Sequence, residues 1–410
     1  MGKKALEGIR VIDLSWIGVG PITAMYMAHH GAEIVHIESN TRHDALRHNG
    51  PYRMKPDGTF DVGINKSGMF EDNNTNKIGC TLNMSSPQGR EIAKRLIAQG
   101  DVLIESFTPK AMRNWGLSYQ DVIKIKPDII MISVPIYGQT GPMSMQMGHG
   151  VTTPCLSGVQ YLTGWPDRQP AEIGIPYTDW IGPQFACAFV MAALDYRLRT
   201  GKGQYIDLAQ YQCAVHALQE TLLDVSVNGR HPERQGNRNP YTAPHGVFQC
   251  RGEERWIAIT VFNHQQWVAL CKVMDKTGWT QEGSKFRTLL GRLDNQDELE
   301  ADINAWTRLF TAEQLMATLQ AGGVPAALVE TTQDLYEDPQ LKHRDHWKWL
   351  EAPELGLCSH NTFAFRMSKT PLEVTTPAPT LGQHNEWVYR ELLAMNEEEF
   401  VEDLVAGVFE

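Results

Sequence analysis

Strand-length apolar runs alternate with helical patterns along the first third of the chain. Residues 9–14 and 32–37 are apolar runs of strand length, and residues 21–30 between them have the spacing of a helix that ends at a glycine. The same order recurs over residues 77–104 and continues to a strand at 129–134. Strands separated by helices in this way predict an α/β fold with a parallel sheet covered on both faces.

The pattern changes after the long apolar helix predicted at residues 183–199. From about residue 225 the elements become shorter, with a strand at 256–260 and a helix that Asn263 caps. The charged, histidine-rich stretch at 334–349 is typical of a connector, and a last helical pattern follows near the C-terminus. We therefore predict a large domain beginning at 1–224, a small α+β domain at 225–330, and a connector with a return to the large domain at 331–410.

Composition and charge narrow the class of protein. The chain has 410 residues, 42% hydrophobic and 21% charged, which is the composition of an ordinary globular protein too long for one small core. Its formal net charge of -11 argues against general binding to nucleic acid or to an anionic membrane. An anionic ligand would therefore need basic groups gathered locally.

Neither membrane insertion nor metal binding is predicted. The first residues lack the apolar core of a secretory signal, and the longest wholly apolar stretch, Phe185 to Leu194, is too short to cross a bilayer. The seven cysteines are scattered without a CxxC-type pair, which is typical of reduced thiols. We expect a cytoplasmic protein without a metal site.

A glycine-rich turn follows the first predicted strand. Gly18-Val19-Gly20 precedes Pro21, and Glu38 closes the second predicted strand. This arrangement is similar to the dinucleotide fingerprint, in which glycines admit a pyrophosphate and an acid binds a ribose hydroxyl. The third glycine is replaced by Thr23, so an NAD-dependent oxidoreductase is an alternative with little support.

The segment GIPYTDWIGP places one carboxylate, Asp179, between Gly and Pro residues. Gly174 and Pro176 interrupt any regular element before it, and Gly182-Pro183 has the form of a helix start. We therefore predict that Asp179 lies in a short loop at a helix entrance, where backbone N–H groups favour an anion. A surface turn aspartate would have the same local pattern.

Several segments taken together resemble one family. They occur in order over nearly the whole chain: LEGIRVIDLSWIGVGPITAMYMAHHGAEIVHIE, NKIGCTLNMSSPQGREIAKRLIAQGDVLIESFTPKAMRNWGL, YGQTGP, TGWPDRQPAEIGIPYTD, RTGKGQYIDL and LGQH. The chain resembles the class III CoA-transferase family, also called the CaiB/BaiF or formyl-CoA transferase family. The resemblance implies a Rossmann-like large domain built from both chain termini, a smaller middle domain, and two ring-shaped subunits that interlock, either identical or paralogous.

The resemblance also implies a role for Asp179, which follows Thr163-Gly164 and Pro170 as the family aspartate does. This residue would attack an acyl-CoA thioester, pass through an aspartyl-CoA intermediate, and transfer CoA to a carboxylic acid. CoA is then a co-substrate, and no tightly bound cofactor is expected. The pocket residues that we expect to shield the anhydride from water or to line the substrate site are Trp165, Tyr177, Trp180 and His149.

The resemblance to the family also implies which residues contact CoA. They are Gly18, Val19, Gly20, Arg42, Lys77, Phe107, Arg113 and Tyr137. Arg42 and Arg113 stand slightly out of the family register, and Ser106 replaces an asparagine that members often carry beside the aromatic residue.

Departures from the family bear on the acceptor. Gly18 stands where oxalate-using members carry Gln, and Gly138 where they carry Glu, so we predict a larger and more apolar acid such as an aryl-substituted succinate. A 2-substituted acyl-CoA racemase that uses His149 and Asp179 as two bases is the main alternative. Against it, Gly150 follows His149 where racemases carry Asp. A CoA-binding subunit without activity is a further alternative, against which the retained Asp179 counts.

Overall fold

The computed structural model describes residues 4–410, which divide into two compact units. One unit comprises the described residues up to Val159 together with Ile173–Arg230 and Asp345–Glu410, and the other comprises Gln160–Glu172 and His231–Arg344. The domain boundaries predicted at residues 225 and 331 stay predictions, because compactness alone does not demonstrate an independently folding domain.

A six-stranded parallel sheet organises the first unit. Its strands are β1 Arg10–Asp13, β2 Glu33–Glu38, β3 Ile78–Thr81, β4 Val102–Glu105, β5 Ile130–Ser133 and β6 Gln204–Asp207. They lie in the order β3-β2-β1-β4-β5-β6, and every neighbouring pair is parallel. This is the strand order of the doubly wound nucleotide-binding fold, so the predicted α/β class with a parallel sheet is confirmed.

Ten helices of the first unit surround this sheet. They are α1 Val19–His29, α2 Gly68–Asn73, α3 Pro87–Gln99, α4 Pro109–Trp115, α5 Tyr119–Ile125, α6 Thr153–Ser157, α7 Tyr177–Thr200, α8 Gln210–His216, α9 Gln219–Asn228 and α16 Glu397–Val405. Helix α3 is capped by the Ser86 side chain, which accepts a hydrogen bond from the Gly89 N–H. An antiparallel hairpin of β10 Trp347–Ala352 and β11 Gly356–Asn361 and a π-helical turn at Trp387–Leu392 complete this unit.

The two faces of the sheet carry separate cores. Val11 and Val102 pack among residues of α1 and α7, whereas the next residue along each strand packs on the other face with α3. The C-terminal segment reaches that second core, where the Tyr389 hydroxyl donates to the carbonyl of Thr81 at 2.5 Å. The late part of the chain therefore returns to the first unit.

The second unit contains a three-stranded antiparallel sheet and six helices. The strands are β7 His245–Gln249, β8 Trp256–Thr260 and β9 Ala326–Val329, in the order β7-β8-β9. The helices are α10 His264–Val273, α11 Leu289–Asp294, α12 Gln296–Thr307, α13 Ala312–Ala321, α14 Thr332–Glu337 and α15 Pro339–His343. The stretch at 334–349, predicted to be a connector, contains regular structure: Thr331 caps α14 with a reciprocal capping box, and β10 begins at Trp347.

Helix α7 begins earlier than predicted. Its first residue is Tyr177, so Asp179 lies on the first turn of the helix rather than in a loop before it. Pro183, which we expected near the start, lies inside the helix. Because proline has no N–H, it cannot donate the usual hydrogen bond to the carbonyl of Asp179 four residues earlier.

Candidate active site

A cavity of about 620 Å³ opens where the strands of the parallel sheet end. Its walls come from the segments that follow β1 to β5, together with residues 146–150, Asp179 and Gln210. All of these residues belong to the first unit. Neighbouring strands β1 and β4 mark the point at which the strand order reverses, and ligands of doubly wound folds bind in the crevice at that point.

The Asp179 carboxyl group lies in a narrow slot between two glycine backbones. A Cβ atom on Gly18 would lie 2.5 Å from Cγ of Asp179, and one on Gly150 would lie 2.5 Å from its Oδ1. Neither position therefore has room for a side chain while the carboxyl group keeps this place. Gly18 precedes α1 directly, so the first turns of two helices meet at the carboxyl group.

Burial changes the ionisation of this acid. Desolvation raises the pKa of Asp179 to about 7, because removal from water disfavours the charged form. Among the described residues, no donor or cation forms a hydrogen bond or ion pair with its carboxylate that would offset this effect. An ordinary aspartate is almost fully ionised near neutral pH, whereas burial favours the protonated form of Asp179.

Aromatic side chains form one wall of the cavity. Phe107 contacts Trp16 and Trp115 edge to face, with ring centroids 5.4 Å and 5.0 Å apart. The main chain of Trp16 is fixed by Ser106, whose hydroxyl accepts from the Trp16 N–H at 3.0 Å. Such a wall presents flat apolar surfaces on which a planar ring can pack.

Two basic side chains line the cavity among the described residues, Arg42 and His149. Arg42 is exposed, and its backbone N–H donates to the Ser39 hydroxyl at 3.2 Å. His149 is exposed as well, and its backbone is tied to Thr152, which begins the approach to α6. The next residue, Gly150, forms one wall of the slot around the Asp179 carboxyl group. The structure therefore brings Arg42, His149 and Asp179 to one cavity.

Lys77 does not line this cavity. It is buried, and its ammonium group lies 2.9 Å from Oδ2 of Asp13 and 2.9 Å from the Asn74 side chain. The Nδ1 atom of His36 lies within hydrogen-bond distance, 2.9 Å, of Oδ2 of the same carboxylate. Burial alone would raise the pKa of Asp13, but the Lys77 and His36 charges beside it hold that pKa well below its usual range. This placement favours a structural role for Lys77 over contact with a ligand in the cavity.

Four of the other predicted residues lie beside the cavity or away from it. Gly20 packs against Ser15, which lies only 2.2 Å from where a Cβ would stand. Arg113 is exposed on α4, and the Tyr137 hydroxyl lies beside Gly148, but neither residue lines the cavity. Trp165 belongs to the second unit, where it packs on Gly236.

The remaining predicted residues lie at or near Asp179. Gly18, Val19 and Phe107 line the cavity. Tyr177 and Trp180 lie on the first turn of α7 with Asp179, and Trp180 is exposed. The family resemblance thus predicted residues that the structure places at or beside the cavity, although the local pattern misplaced the helix start.

Glu38, the acid of the suspected dinucleotide fingerprint, is paired with Arg47. Both carboxylate oxygens of Glu38 accept hydrogen bonds from the buried Arg47 guanidinium, at 2.7 Å and 2.5 Å. A ribose hydroxyl would have to compete with this bidentate pair. Thr23, in the place of the third glycine, donates to the carbonyl of Val19 within α1. These contacts argue against the NAD-dependent alternative.

Sequence reasoning missed several residues of the site. Gly150, Trp16, Trp115 and Gln210 line the cavity and none was predicted to do so. Gly150 was noted only as the residue after His149, because nothing in the local sequence indicates that it touches a helix that begins almost thirty residues later. The described residues contain no group of three or more His, Cys, Asp or Glu side chains arranged to hold a metal ion. None of the helices between residues 4 and 410 has the length and apolar character needed to cross a membrane.

Comparison with known proteins places this geometry in a family. The model of CoA-transferase family III matches residues 6–385. The succinyl-CoA–D-citramalate CoA-transferase of Chloroflexus aurantiacus is 29% identical, over 97% of this chain and 96% of that protein. The succinyl-CoA:glutarate CoA-transferase of Mus musculus is also 29% identical, over 99% of this chain and 91% of that protein. The crystal structure of a CaiB/BaiF family protein from Brucella suis has a TM-score of 0.85 and 28% identity, covering 95% of this chain and 100% of that one.

These similarities extend over almost the entire length of both partners in each comparison. They agree with the α/β fold and its six-stranded parallel sheet. The chain therefore belongs to CoA-transferase family III, the CaiB/BaiF proteins, and it is a class III CoA-transferase that moves CoA between acids.

Proposed function

We propose that Asp179 is the nucleophile of this enzyme and that CoA passes through an aspartyl thioester on its side chain. The observation that carries the proposal is the slot between Gly18 and Gly150, which exposes the carboxyl group to the cavity without a competing side chain on either side. A desolvated carboxylate without hydrogen-bond donors is also more nucleophilic than a solvated one.

The reaction follows in four balanced steps. A carboxylate oxygen of Asp179 attacks the donor thioester carbon, the C–S bond breaks, and a mixed anhydride and CoA thiolate result. The thiolate attacks Cγ of Asp179, releasing the donor acid as its carboxylate. The acceptor carboxylate then attacks the aspartyl thioester and again expels the thiolate. Finally the thiolate attacks the acyl carbon of the acceptor, which gives the new acyl-CoA and restores the Asp179 carboxylate.

Ionisation couples this reaction to pH. Only the carboxylate form of Asp179 attacks, and burial raises its pKa to about 7. The same burial protects the anhydride, since water that reached Cγ would hydrolyse it. Helix α1 begins directly after Gly18, beside the carboxyl group. Its N-terminus stabilises the negative charge that develops during each attack.

CoA occupies the remainder of the cavity in this proposal. Arg42 supplies the positive charge for a phosphate, and the aromatic wall that includes Phe107 packs against the adenine ring. Val19 and Gly18 bring backbone close to the thioester end. Arg113 and Tyr137, which do not line the cavity, have no direct contact with CoA in this arrangement.

The acceptor is an acid larger than oxalate. The relatives named above act, by their names, on succinyl-CoA with citramalate or glutarate, so we propose a succinyl-type donor and a substituted dicarboxylic acceptor, with an aryl-substituted succinate as the candidate. His149 is the basic group that lines the cavity next to the slot, and Met147 adds apolar surface beside it. Trp180 and Tyr177 on the turn of Asp179 add further apolar cover.

The racemase alternative has one observation in its favour, because His149 and Asp179 line the same cavity. A racemase removes the α-proton of its acyl-CoA, whereas CoA transfer leaves the α C–H bond intact. In deuterated water we therefore expect CoA exchange without enzyme-catalysed α-deuteration. Rapid α-exchange that disappears in His149→Ala would favour the racemase.

Assembly and location are part of the proposal. We propose an interlocked dimer, with an identical or paralogous partner, in the cytoplasm. Neither nucleic acid nor a membrane is proposed as a partner, because the net charge of -11 disfavours both.

Trapping of the covalent intermediate tests the mechanism. Succinyl-CoA followed by hydroxylamine should convert Asp179 to a hydroxamate that peptide mapping identifies, because the amine attacks anhydrides and thioesters but not a resting carboxylate. Asp179→Asn should abolish CoA exchange while CoA binding persists. The matched control is Asp195→Asn, an exposed aspartate on the same helix paired with Arg199, which should exchange normally. A label on another residue, or exchange in Asp179→Asn near the wild-type rate, would contradict the proposal.

A further inference from the structure

The residue before Gly18 has an unusual backbone conformation. Ile17 has φ +72°, in the left-handed region that β-branched residues avoid because the side chain crowds the main chain. Such a conformation persists only where surrounding contacts impose it, and it concentrates at functional sites. Ile17 lines the cavity and lies one residue from the backbone that borders the Asp179 carboxyl group.

A buried carboxylate holds Ile17 in this conformation. Oδ2 of Asp44 accepts the Ile17 N–H at 2.8 Å, and Oδ1 accepts the Leu46 N–H at 2.8 Å. Asp44 has no exposed surface and does not line the cavity. Its two oxygens therefore join the β1–α1 turn to the short helical turn at Ala45–His48.

The residue on the other side of Ile17 is fixed too. The Trp16 N–H donates to Oγ of Ser106 at 3.0 Å, and the same hydroxyl donates to the Trp16 carbonyl at 3.2 Å. With Trp16 fixed by Ser106 and Gly18 at the start of α1, the conformation of Ile17 sets where the Gly18 backbone lies. A relaxed Ile17 would move Gly18 relative to Asp179.

We infer that Asp44 is a positioning residue for the nucleophile: by holding Ile17 in the left-handed conformation it keeps the Gly18 wall of the slot against the Asp179 carboxyl group. This inference rests on the proposed role of Asp179. Asp44 does not touch substrate, and it acts through Ile17 and Gly18. A carboxylate that merely capped the turn at Ala45–His48 would give the same stability but no link to Ile17.

A rescue experiment separates these roles. Asp44→Ala should lower kcat for CoA exchange between succinyl-CoA and glutarate about 100-fold with little change in KM, since misplacement by about 1 Å costs that much. Glycine adopts positive φ without crowding, so in the Ile17→Gly variant this conformation no longer depends on the hydrogen bond from Asp44. The double variant Asp44→Ala, Ile17→Gly should therefore have a kcat less than about tenfold below that of Ile17→Gly alone.

The matched control uses a second residue with positive φ. Asp275 has φ +57° in the second unit, so Asp275→Gly relieves comparable backbone crowding without touching the β1–α1 turn. Combining it with Asp44→Ala should leave the loss of kcat unchanged. Asp44→Asn keeps one acceptor oxygen, and its kcat should lie between those of the wild type and Asp44→Ala.

Hydrogen exchange supplies a readout that needs no substrate. The peptide covering residues 15–20 should exchange faster in Asp44→Ala, because the Ile17 N–H loses its acceptor. Unchanged exchange there, unchanged kcat, or a loss of kcat that Ile17→Gly does not reduce would each overturn the inference. If the wild type itself transfers no CoA between these probes, that result counts against the proposed substrates, and the exchange measurement still decides the role of Asp44.

Discussion

A methyl group at Gly150 is the most direct perturbation of the nucleophile. Gly150 does not have positive φ, so Gly150→Ala adds a side chain without backbone strain. The added Cβ would lie 2.5 Å from Oδ1 and 2.6 Å from Cγ of Asp179, whereas ordinary contact begins at 3.4 Å. The carboxyl group, as the more movable partner, must shift by about 0.9 Å, a gap read from those two distances.

A shift of this size has a predictable kinetic cost. Misplacement of a reacting group by about 1 Å lowers the rate about 100-fold, which corresponds to about 2.7 kcal/mol in the activation free energy. The loss should appear in kcat and in the rate of Asp179 acylation. CoA binding should persist, because Arg42 and the aromatic wall lie on other segments.

Three measurements check this prediction. Hydroxylamine trapping after rapid mixing with succinyl-CoA gives the acylation rate, calorimetry gives the CoA affinity, and thermal unfolding gives the stability. Gly278→Ala is the matched control, because its Cβ would meet no atom within 4 Å and its φ is not positive. Normal acylation in Gly150→Ala would refute the slot as the determinant of carboxyl position, and equal losses in both variants would indicate a general defect.

Three further predictions concern ionisation, the buried network and assembly. Because burial raises the pKa of Asp179 to about 7, the attacking carboxylate is lost as pH falls through 7, and the acylation rate should drop about tenfold per pH unit below it; a rate that stays level down to pH 5 would contradict the raised pKa. Lys77→Met leaves the buried Asp13 without its cation and should lower the free energy of unfolding by about 3–5 kcal/mol in chemical denaturation, whereas Lys94→Met, at a half-buried lysine paired with an exposed glutamate, should change it little. Light scattering should detect a dimer at nanomolar concentration, since closed interlocked rings cannot separate, and a folded monomer there would exclude that assembly.

Five of the six strands of the sheet, β1 to β5, could be predicted from the sequence because each has a local signature. Central parallel strands are buried on both faces, so three of the four residues of β4 and of β5 are apolar, and the helix before β4 is bounded by Ser86 and Gly100. The start of α7 could not be predicted in the same way. Pro183 has the appearance of a first-turn proline, but the helix begins six residues earlier and accepts the proline inside.

The site was only partly predictable for a different reason. Asp179 could be identified because the family motif around it is contiguous in sequence. Gly150 and Asp44 act through contacts with residues 29 and 27 positions away, Asp179 and Ile17, and neither has a local pattern that indicates this. Lys77 illustrates the opposite error, since its motif suggested a ligand contact and its actual partner, Asp13, lies 64 residues earlier.

Pro183 gives the turn that carries Asp179 a mechanical property of its own. The carbonyl of Asp179 lacks the helical donor that the fourth following residue would normally supply, so the turn is joined to the body of α7 by one rung fewer than an uninterrupted helix has. In the proposed cycle the Asp179 carboxyl group carries in succession a donor acyl group on its oxygen, the CoA sulfur on Cγ and an acceptor acyl group on its oxygen, each of different bulk. Because one backbone hydrogen bond fewer joins this turn to the body of α7, tilting the turn to admit each of these groups in the proposed cycle costs less than it would in an uninterrupted helix.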